Sequence, residues 1–386
     1  ITCSAFFELL KRVGGISGVD IDGTKTSTTL NHTKLITATL TPTLDMLSPT
    51  ETLILNYASL LPADLIPVPW LRAIVSKQCP EFEADALAGF DDPWLSNINH
   101  LLSLRILQIV ELDDEGFKPR IVRMHKLIQE LLEDKLTEGG KILINRLLEF
   151  TRERADLLMD TWVNVKDRWE INPIKTASSY WMKREHILSA GIANQIQWVL
   201  SNLGYFTEAK ELLNDAIKIY ETKKESYQSD LAVNYNDLAL IERELSNNNE
   251  ARILLLKAIE IYEKIYEPGH QFFSITYSNL ALVDVELGNY VEAKELLKKS
   301  IDICKQNLEP NNPSLATRYS NLGMVERKLG NFRKAKKLIL LAKLIIEQNY
   351  DESHPKYALI ESNLANVEND LGHLKEAKKL LIKTIS

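Results

Sequence analysis

A loop near the start of the chain comes close to a phosphate-binding motif. Gly18 and Gly23 flank a short segment, and Lys25 and Thr26 follow it, which is the outline of a Gly-x4-Gly-Lys-[Ser/Thr] loop. The match fails because one extra residue precedes Lys25, two aspartates lie where phosphate would bind, and no apolar strand comes before the loop. We therefore interpret this stretch as a surface loop and expect the chain alone not to hydrolyse ATP.

Other residue types that carry catalysis or bind metals do not fall into a recognisable arrangement. No Ser-His-Asp, Cys-His or paired-carboxylate pattern is evident. Cys3, Cys79 and Cys304 are odd in number, far apart and without metal-ligand spacing, so neither a disulfide framework nor a zinc site is supported. The sequence therefore predicts no catalytic residue, metal or cofactor in this chain, and a reducing, cytoplasmic location.

Length and charge exclude several further classes of function. The 386 residues, 45% of them hydrophobic and 26% charged, are enough for two or three domains. The net charge of −7 gives no general attraction for nucleic acid or anionic membrane. No stretch approaches the ~18–20 consecutive apolar residues of a membrane span. Because the chain begins at Ile1 and stops at Ser386 within a helical pattern, we expect it to be a fragment of a longer protein.

The C-terminal half is organised by an internal repeat with a period of 42 residues. Four of the five units have a Leu-Gly turn followed by an aromatic or apolar residue, and every unit then has a small residue, which is Ala209, Ala251, Ala293, Ala335 and Ala377 in turn. Gly is suited to the left-handed residue that ends a helix, and alanine lets a second helix approach the first closely. The pattern predicts five antiparallel helical hairpins. Ser246 replaces Gly in the second turn, which we expect to be less regular.

The repeat motif resembles one known family in particular. A period of ~34 is usual for tetratricopeptide repeats and ~40–47 for HEAT and armadillo repeats, but the small residues match the tetratricopeptide pattern. The segments Tyr277–Ala281, Tyr319–Gly323 and Glu361–Ala365 resemble the 42-residue repeats of kinesin light chains and of many bacterial proteins. The resemblance implies that the residue before the motif's Leu faces a concave groove: Asn279, Asn321 and Asn363, with Asp237 and Gln195 as departures.

The predicted peptide-binding groove extends from this asparagine row to its neighbours. It comprises Asp237, Asn279, Asn321, Asn363, Leu282, Met324, Ser278 and Ser320. Amides, hydroxyls and a few apolar side chains can hydrogen-bond an extended peptide backbone while pocketing alternate side chains. The alternative interpretation is that the asparagines brace neighbouring hairpins within the stack.

Residues 37–136 show a different pattern. Three helical segments, over about 38–61, 65–71 onward and 92–104, precede two short strands at Ile106–Glu111 and Arg120–Met124. This is the layout of a winged helix, a fold that often binds DNA through its third helix. Residues 81–103 carry five acidic side chains and no Lys or Arg, so phosphate would be repelled. We expect no nucleic-acid partner.

The end of this region resembles a second family. Val122–Leu132, which contains Met124 and His125, resembles the Met-His-Asp region of NB-ARC (STAND) signalling NTPases. The resemblance implies that His125 contacts the β-phosphate of ADP in the full-length parent, although Lys126 stands where the family often has Asp. The simpler interpretation is a polar residue at a helix start. ADP or ATP would bind to a domain encoded upstream, and none is expected to bind this fragment.

Together these patterns predict a mainly α chain: a winged-helix domain (three helices plus a β-hairpin) followed by an α-α superhelical tetratricopeptide solenoid. The predicted domains are a tail of a preceding helical domain (1–36), the winged helix (37–136), a helical linker or cap (137–190) and about five repeats, the last truncated (191–386). The leading hypothesis is that the repeats are the protein-sensing or peptide-sensing arm of a nucleotide-switched signalling protein. They would be coupled to that protein's own upstream nucleotide-binding domain, and the protein could form a homo-oligomer on activation. A plain interaction scaffold is the alternative, and a DNA-binding regulator is a third hypothesis.

Overall fold

The computed structural model describes residues 40–83, 92–136, 139–161, 163–223, 225–351 and 354–385. The expectations for residues 1–36, including the loop at 18–26, lie outside the described residues. The chain forms two compact units, which divide in sequence between Leu143 and Ile144. The division falls inside a long helix, α5 in the numbering used below, which covers Gly139–Thr161.

The first unit combines helices with a small antiparallel sheet. Its elements are α1 (Pro49–Ser59), β1 (Ile66–Pro67), α2 (Val68–Ser76), α3 (Pro93–Ser103), β2 (Leu107–Leu112), β3 (Pro119–Met124) and α4 (Lys126–Lys135). The strand order is β1-β3-β2, with Ile66 opposite Val122 and Leu107 opposite Met124. The β2–β3 hairpin was expected from the sequence, whereas β1 was not. A two-residue strand at a proline is too short for a period-2 pattern to be visible.

Two polar interactions position the helices of this unit. Ser48 and Glu51 form a capping box at the start of α1: the Ser48 N–H donates to Glu51 Oε2 (2.8 Å), and the Glu51 N–H donates to Ser48 Oγ (3.2 Å). The buried Gln129 amide on α4 donates to the carbonyl oxygens of Ser59 (2.7 Å) and Leu61 (2.8 Å) just after α1. These bonds satisfy carbonyls at the end of α1 and fasten α4 to it.

The second unit continues with helix α6 and five helical hairpins. The helices are α6 (Ile171–Met182), α7 (Ile187–Asn202), α8 (Phe206–Thr222), α9 (Gln228–Glu244), α10 (Asn248–Ile265), α11 (Gln271–Glu286), α12 (Tyr290–Asn307), α13 (Pro313–Lys328), α14 (Phe332–Asn349), α15 (Pro355–Asp370) and α16 (Leu374–Ile385). The odd-numbered helices from α7 to α15 are the first helices of the hairpins, and the even-numbered helices from α8 to α16 are the second helices. Each second helix also packs against the next first helix, and α6 packs against α7 and α8.

The turn inside each hairpin uses one left-handed residue. At the end of α11, Gly288 has φ +83°, its N–H donates to Val285 O (3.1 Å), and the Asn289 N–H donates to Asp284 O (2.7 Å). This is the Schellman arrangement, which satisfies carbonyls at a helix end. Ser246 adopts φ 64° and makes the equivalent bonds at the end of α9. The expectation of a less regular second turn was therefore wrong: the hydrogen bonds hold the backbone in a conformation that costs roughly 1–2 kcal/mol for a residue with Cβ.

A buried carboxylate closes each joint between successive hairpins. This carboxylate ladder consists of Glu242, Asp284, Glu326 and Glu368, at the same position of four first helices and each less than 4% exposed. Each pairs with a cation on the second helix of the preceding hairpin. The pairs are Lys210–Glu242 (2.8 Å), Arg252–Asp284 (3.0 Å), Lys294–Glu326 (3.1 Å) and Lys336–Glu368 (2.6 Å). The ladder therefore links neighbouring hairpins.

Each rung also accepts a hydrogen bond from its own hairpin turn. Asn331 donates to Glu326 Oε2 (2.8 Å), and Asn247 and Asn289 donate to Glu242 and Asp284 in the same way. Burial alone would raise the pKa of Glu326, but hydrogen bonds from Lys334, Asn331 and Lys294 lower it below its ordinary value. Glu326 is therefore ionised at neutral pH and favours the folded state there, a contribution lost as the pH falls through the lowered pKa.

Packing within the fourth hairpin depends on a matched pair of side chains. At the positions equivalent to Gly323 and Ile339, three hairpins carry alanine and leucine: Ala239 and Leu255, Ala281 and Leu297, and Ala365 and Leu381. The fourth hairpin has Gly323 and Ile339 there. A Cβ on Gly323 would lie 2.7 Å from Ile339 Cγ1 and 3.3 Å from Ala335 O. The β-branched isoleucine therefore fills the space that an alanine methyl occupies elsewhere.

Gly323→Ala is expected to destabilise the second unit even though alanine favours a helix by about 1 kcal/mol. Overpacking against Ile339 costs typically about 1–3 kcal/mol. In an Ile339→Leu background, Gly323→Ala recreates the alanine–leucine pair of three other hairpins and should instead stabilise the second unit. Thermal unfolding of the wild type, the two single variants and the double variant measures this reversal of sign. Gly191→Ala is the control, because no atom lies within 4 Å of its added Cβ. A loss of stability at Gly323 that Ile339→Leu does not relieve would contradict the packing explanation.

Candidate peptide-binding groove

The first helices from α9 to α15 contact one another in succession, and each has exposed or half-buried residues along one face. We define the first-helix face by residues spaced four, three and four apart. On α11 these are Ile275, Asn279, Leu282 and Glu286. Such spacing places side chains in one stripe along a helix. Ile275 is 44% exposed and Glu286 is exposed at the end of the helix, so the stripe is open to a ligand.

The asparagine row lies on this face and also joins hairpins. Asn279 Nδ2 donates to Asn236 Oδ1 on the preceding first helix (3.0 Å), and Asn363 Nδ2 donates to Ser320 Oγ (3.0 Å). Asn321 is half-buried and makes no such bond in the described part of the chain. Each brace uses one amide N–H. The Oδ1 atoms of Asn279 and Asn363 accept no hydrogen bond from the described residues, so bracing and ligand binding are compatible.

The other predicted groove residues divide into two groups. Leu282 and Met324 are half-buried on the first-helix face, one turn beyond the asparagine row. Ser278 and Ser320 are only 6% and 3% exposed, which places their hydroxyls inside the joints between hairpins rather than on the open face. Ser320 acts there as the acceptor for Asn363. The apolar side chains are therefore accessible to a ligand, whereas the serine hydroxyls belong to the joints.

Three exposed apolar residues on the same face were missed by the sequence reasoning. Trp198 on α7 is 39% exposed, Ile275 on α11 is 44% exposed and Leu359 on α15 is 59% exposed. Ile275 and Leu359 lie one turn before the asparagine row. The sequence could have indicated these residues, because each is a large apolar side chain at a position where a solvent-exposed helix face usually carries a polar one. The carboxylate ladder was missed as well, although its 42-residue recurrence is visible in the sequence.

Asp237 occupies the asparagine position on α9 and has a different environment. Its carboxylate accepts two long hydrogen bonds from amides, Asn236 Nδ2 to Oδ1 (3.3 Å) and Gln197 Nε2 to Oδ2 (3.4 Å). No described Lys, Arg or His forms an ion pair with it. Burial raises the pKa of Asp237 to about 6, and the Asn236 hydrogen bond opposes this only in part. Ionised Asp237 is therefore a destabilised anion at neutral pH.

His125 in the first unit is the N-cap residue of α4. Its Nδ1 accepts a hydrogen bond from the Leu127 N–H (3.3 Å), and the side chain is exposed. This arrangement requires an unprotonated Nδ1. The adjacent Lys126 is exposed and approaches Glu130 at 4.0 Å. The helix start thus accounts for Nδ1 of His125, and Nε2 makes no hydrogen bond with the described residues.

The described part of the chain contains neither a metal site nor a membrane-spanning helix. Across the ranges given above, His, Cys, Asp and Glu side chains do not assemble into a group of three or more that could hold a metal ion. Within the same ranges, every helix is too short or too polar to cross a membrane.

Comparison with protein families identifies the repeats. The tetratricopeptide repeat model matches residues 229–306, 272–340 and 314–386, which together cover the second to fifth hairpins. This part of the chain therefore consists of tetratricopeptide repeats, helical units that offer extended surfaces to other proteins. No curated protein matches the chain.

Several solved structures are similar to this one. One, from Podosopora anserina and described as a kinesin light chain with nearly identical TPR-like repeats, is 22% identical over 52% of this chain and 95% of its own (TM-score 0.45). BtubC (BKLC) from P. vanneervenii is 14% identical over 61% and 89% (TM-score 0.46). A STAND protein with a tetratricopeptide repeat sensor from Pyrococcus horikoshii is 16% identical over 100% of this chain and 57% of its own (TM-score 0.42).

The raised pKa of Asp237 predicts a specific pH dependence of stability. The unfolded carboxyl loses its proton near 3.8 and the folded one near 6, so the stability that protonated Asp237 contributes is lost as the pH rises between these values. Asp237→Asn does not titrate. It should raise the melting temperature by a few degrees at pH 7, and its advantage should shrink as the pH falls towards 4.5. Thermal unfolding of both proteins across this range is the measurement. An advantage that is constant with pH would contradict the assignment.

Proposed function

We propose that the first-helix face of the repeats binds an extended segment of another protein. The observation that carries the proposal is the alignment of exposed Ile275 and Leu359 with the asparagine row. An exposed leucine or isoleucine alone is ordinary on a protein surface. Here the apolar side chains recur on one stripe with amides one turn away, which suits a ligand with both a peptide backbone and apolar side chains.

The two kinds of side chain would contribute differently to binding. The Asn279 and Asn363 amides each have an unused Oδ1 acceptor among the described residues and can accept from a ligand backbone N–H. Ile275, Leu282 and Met324 offer apolar area on adjacent first helices. Burial of one such side chain contributes roughly 1.5–3 kcal/mol. The apolar row would therefore supply affinity, and the amide row would orient the backbone.

Selection of peptides from a random display library on the immobilised full chain tests the proposal. Ile275→Asp should lower the affinity for the selected peptides by about tenfold or more, because it replaces buried apolar area with a desolvated charge. The matched control is Leu344→Asp, since Leu344 is 54% exposed on α14, a second helix. Fluorescence anisotropy with labelled peptides gives the affinities. Equal losses for the two variants would point to a general loss of structure, and no loss for Ile275→Asp would exclude this face.

A second function is proposed for the first unit: coupling of the repeats to a nucleotide-binding domain in a longer parent protein. The support is the Val122–Leu132 motif together with the exposed His125 at the start of α4, whose Nε2 has no partner in the described part of the chain. An imidazole at a helix start is well placed to contact a phosphate oxygen, since helix N-termini attract anions. The plain scaffold remains the competing proposal, in which the first unit has no part in nucleotide binding.

The measurement is ADP affinity of the parent protein by fluorescent-nucleotide titration. His125→Ala should weaken ADP binding by several-fold, because a hydrogen bond to a charged phosphate is lost. Lys126→Ala is the neighbouring control, since Lys126 is exposed and directed towards Glu130. A parent without nucleotide binding, or an unchanged affinity in His125→Ala, would favour the plain scaffold.

A further inference from the structure

The first-helix face contains, at the first two hairpins, a small pocket that differs from the rest of this face. It lies between α7 and α9 and is lined by Gln197, Trp198, Ser201, Phe206, Asp237, Leu240, Ile241 and Glu244. Its volume is about 130 Å³. Small-molecule sites usually enclose roughly 300–1,000 Å³. The pocket therefore has room for one side chain rather than for a cofactor.

The walls of the pocket are apolar and aromatic, and its charged groups are acidic. Trp198 is 39% exposed, and Leu240 and Phe206 are half-buried beside it. Asp237 lies among them with hydrogen bonds from amides alone, at 3.3 and 3.4 Å. The face residues of α7 and α9 include no Lys or Arg: they are Gly191, Gln195, Trp198 and Asn202, then Val233, Asp237, Leu240 and Glu244.

The single Lys or Arg on helices α7 and α9 is paired with other residues. Arg243 on α9 pairs with Glu244 (Nη2 to Oε1, 2.6 Å) and approaches Glu286 on the next first helix (Nε to Oε1, 3.7 Å). It therefore balances the two glutamates at the end of the face and forms no ion pair with Asp237. Burial, and after it the nearby Asp237 carboxylate, raise the pKa of the Tyr262 hydroxyl on α10. Among the described residues, Asp237 thus has acidic or neutral neighbours and no counter-charge.

We infer that this pocket binds the side chain of a lysine or arginine in the peptide ligand. The aliphatic part of such a side chain matches Leu240 and Phe206. Its cation would lie against the face of the Trp198 ring and pair with the Asp237 carboxylate. An apolar ligand side chain would leave Asp237 buried without a counter-charge, which is the costlier arrangement. The inference rests on the proposed peptide groove and specifies which residue type the groove selects at its first two hairpins.

The rest of the face makes the pocket specific to one end of the array. At the position of Asp237 the next three hairpins carry Asn279, Asn321 and Asn363, and the preceding one carries Gln195. An amide both donates and accepts hydrogen bonds, whereas a carboxylate only accepts. A bound segment would therefore meet amides along most of its length and one acidic pocket at α7 and α9. Its basic residue fixes the register in which the segment lies.

Peptide selection on the full chain is the experiment, with the enriched sequences compared between the wild type and Asp237→Asn. Wild-type selections should enrich peptides with Lys or Arg at one fixed position. A synthetic peptide of this kind should bind Asp237→Asn more weakly than the wild type, by about tenfold or more, because a charge-assisted hydrogen bond is lost. Its Lys→Met or Arg→Met version should lose this preference and bind Asp237→Asn at least as tightly as the wild type, because the variant has no carboxylate to bury. Asparagine is native at this position in three hairpins, so the variant is expected to fold.

Asn321→Asp and the exchange Asp237→Asn/Asn321→Asp are the matched controls. Asn321→Asp adds a carboxylate elsewhere on the face and should retain the preference for a basic residue at the fixed position. The exchange variant has the same net charge as the wild type and should lose that preference. Selected peptides with no fixed basic residue, or a preference that persists in Asp237→Asn, would overturn the basic pocket while leaving the groove in place. Selections that enrich no peptide on the wild type would overturn the groove itself and the pocket with it.

Discussion

The arrangement of the repeat array depends on a buried ion pair at each joint between hairpins. A carboxylate taken out of water is stable only when cations and hydrogen bonds replace its hydration. Each rung of the carboxylate ladder meets this requirement with a cation from the preceding hairpin, and Asn247, Asn289 and Asn331 add a hydrogen bond from the rung's own turn. Because the partners come from two hairpins, the pair forms only when both are stacked. The relative position of adjacent first helices, and hence the width of the groove, follows from it.

The general architecture was accessible from the sequence because local signals recur. The alanine every 42 residues and the glycine in four of five turns predict hairpins without any knowledge of long-range contacts. The three helical segments and the β2–β3 hairpin of the first unit were also recognisable. Strand β1 was not, since it consists of Ile66 and Pro67 and pairs with residues far along the chain. At Ser246 the sequence predicted an irregular turn, yet the turn is regular. The hydrogen bonds around it override the unfavourable left-handed conformation of a single serine.

The functional surface was predicted less completely, for a physical reason. Register identifies which residues share a helix face, but the exposure of a side chain depends on neighbouring helices. Ser278 and Asn279 are adjacent in sequence, yet one is buried in a joint and the other lies on the open face. Similarly, the family resemblance marked Asp237 as a departure from asparagine. The absence of a cation among its described neighbours distinguishes this carboxylate from those of the ladder, which are more deeply buried but paired with cations.

The glycine–isoleucine contact of the fourth hairpin has a consequence for how such arrays can be rearranged. Gly323 and Ile339 lie on the two helices of a single hairpin, so their complementary shapes move together when the hairpin is duplicated or transplanted as one piece. A recombination junction inside the hairpin turn would instead combine helices from different hairpins. One product would have glycine on its first helix and leucine on its second at this contact, and the other would have alanine and isoleucine. The first product contains a void and the second a clash. The linkers between hairpins are therefore the tolerant junctions for building chimeric arrays from this chain.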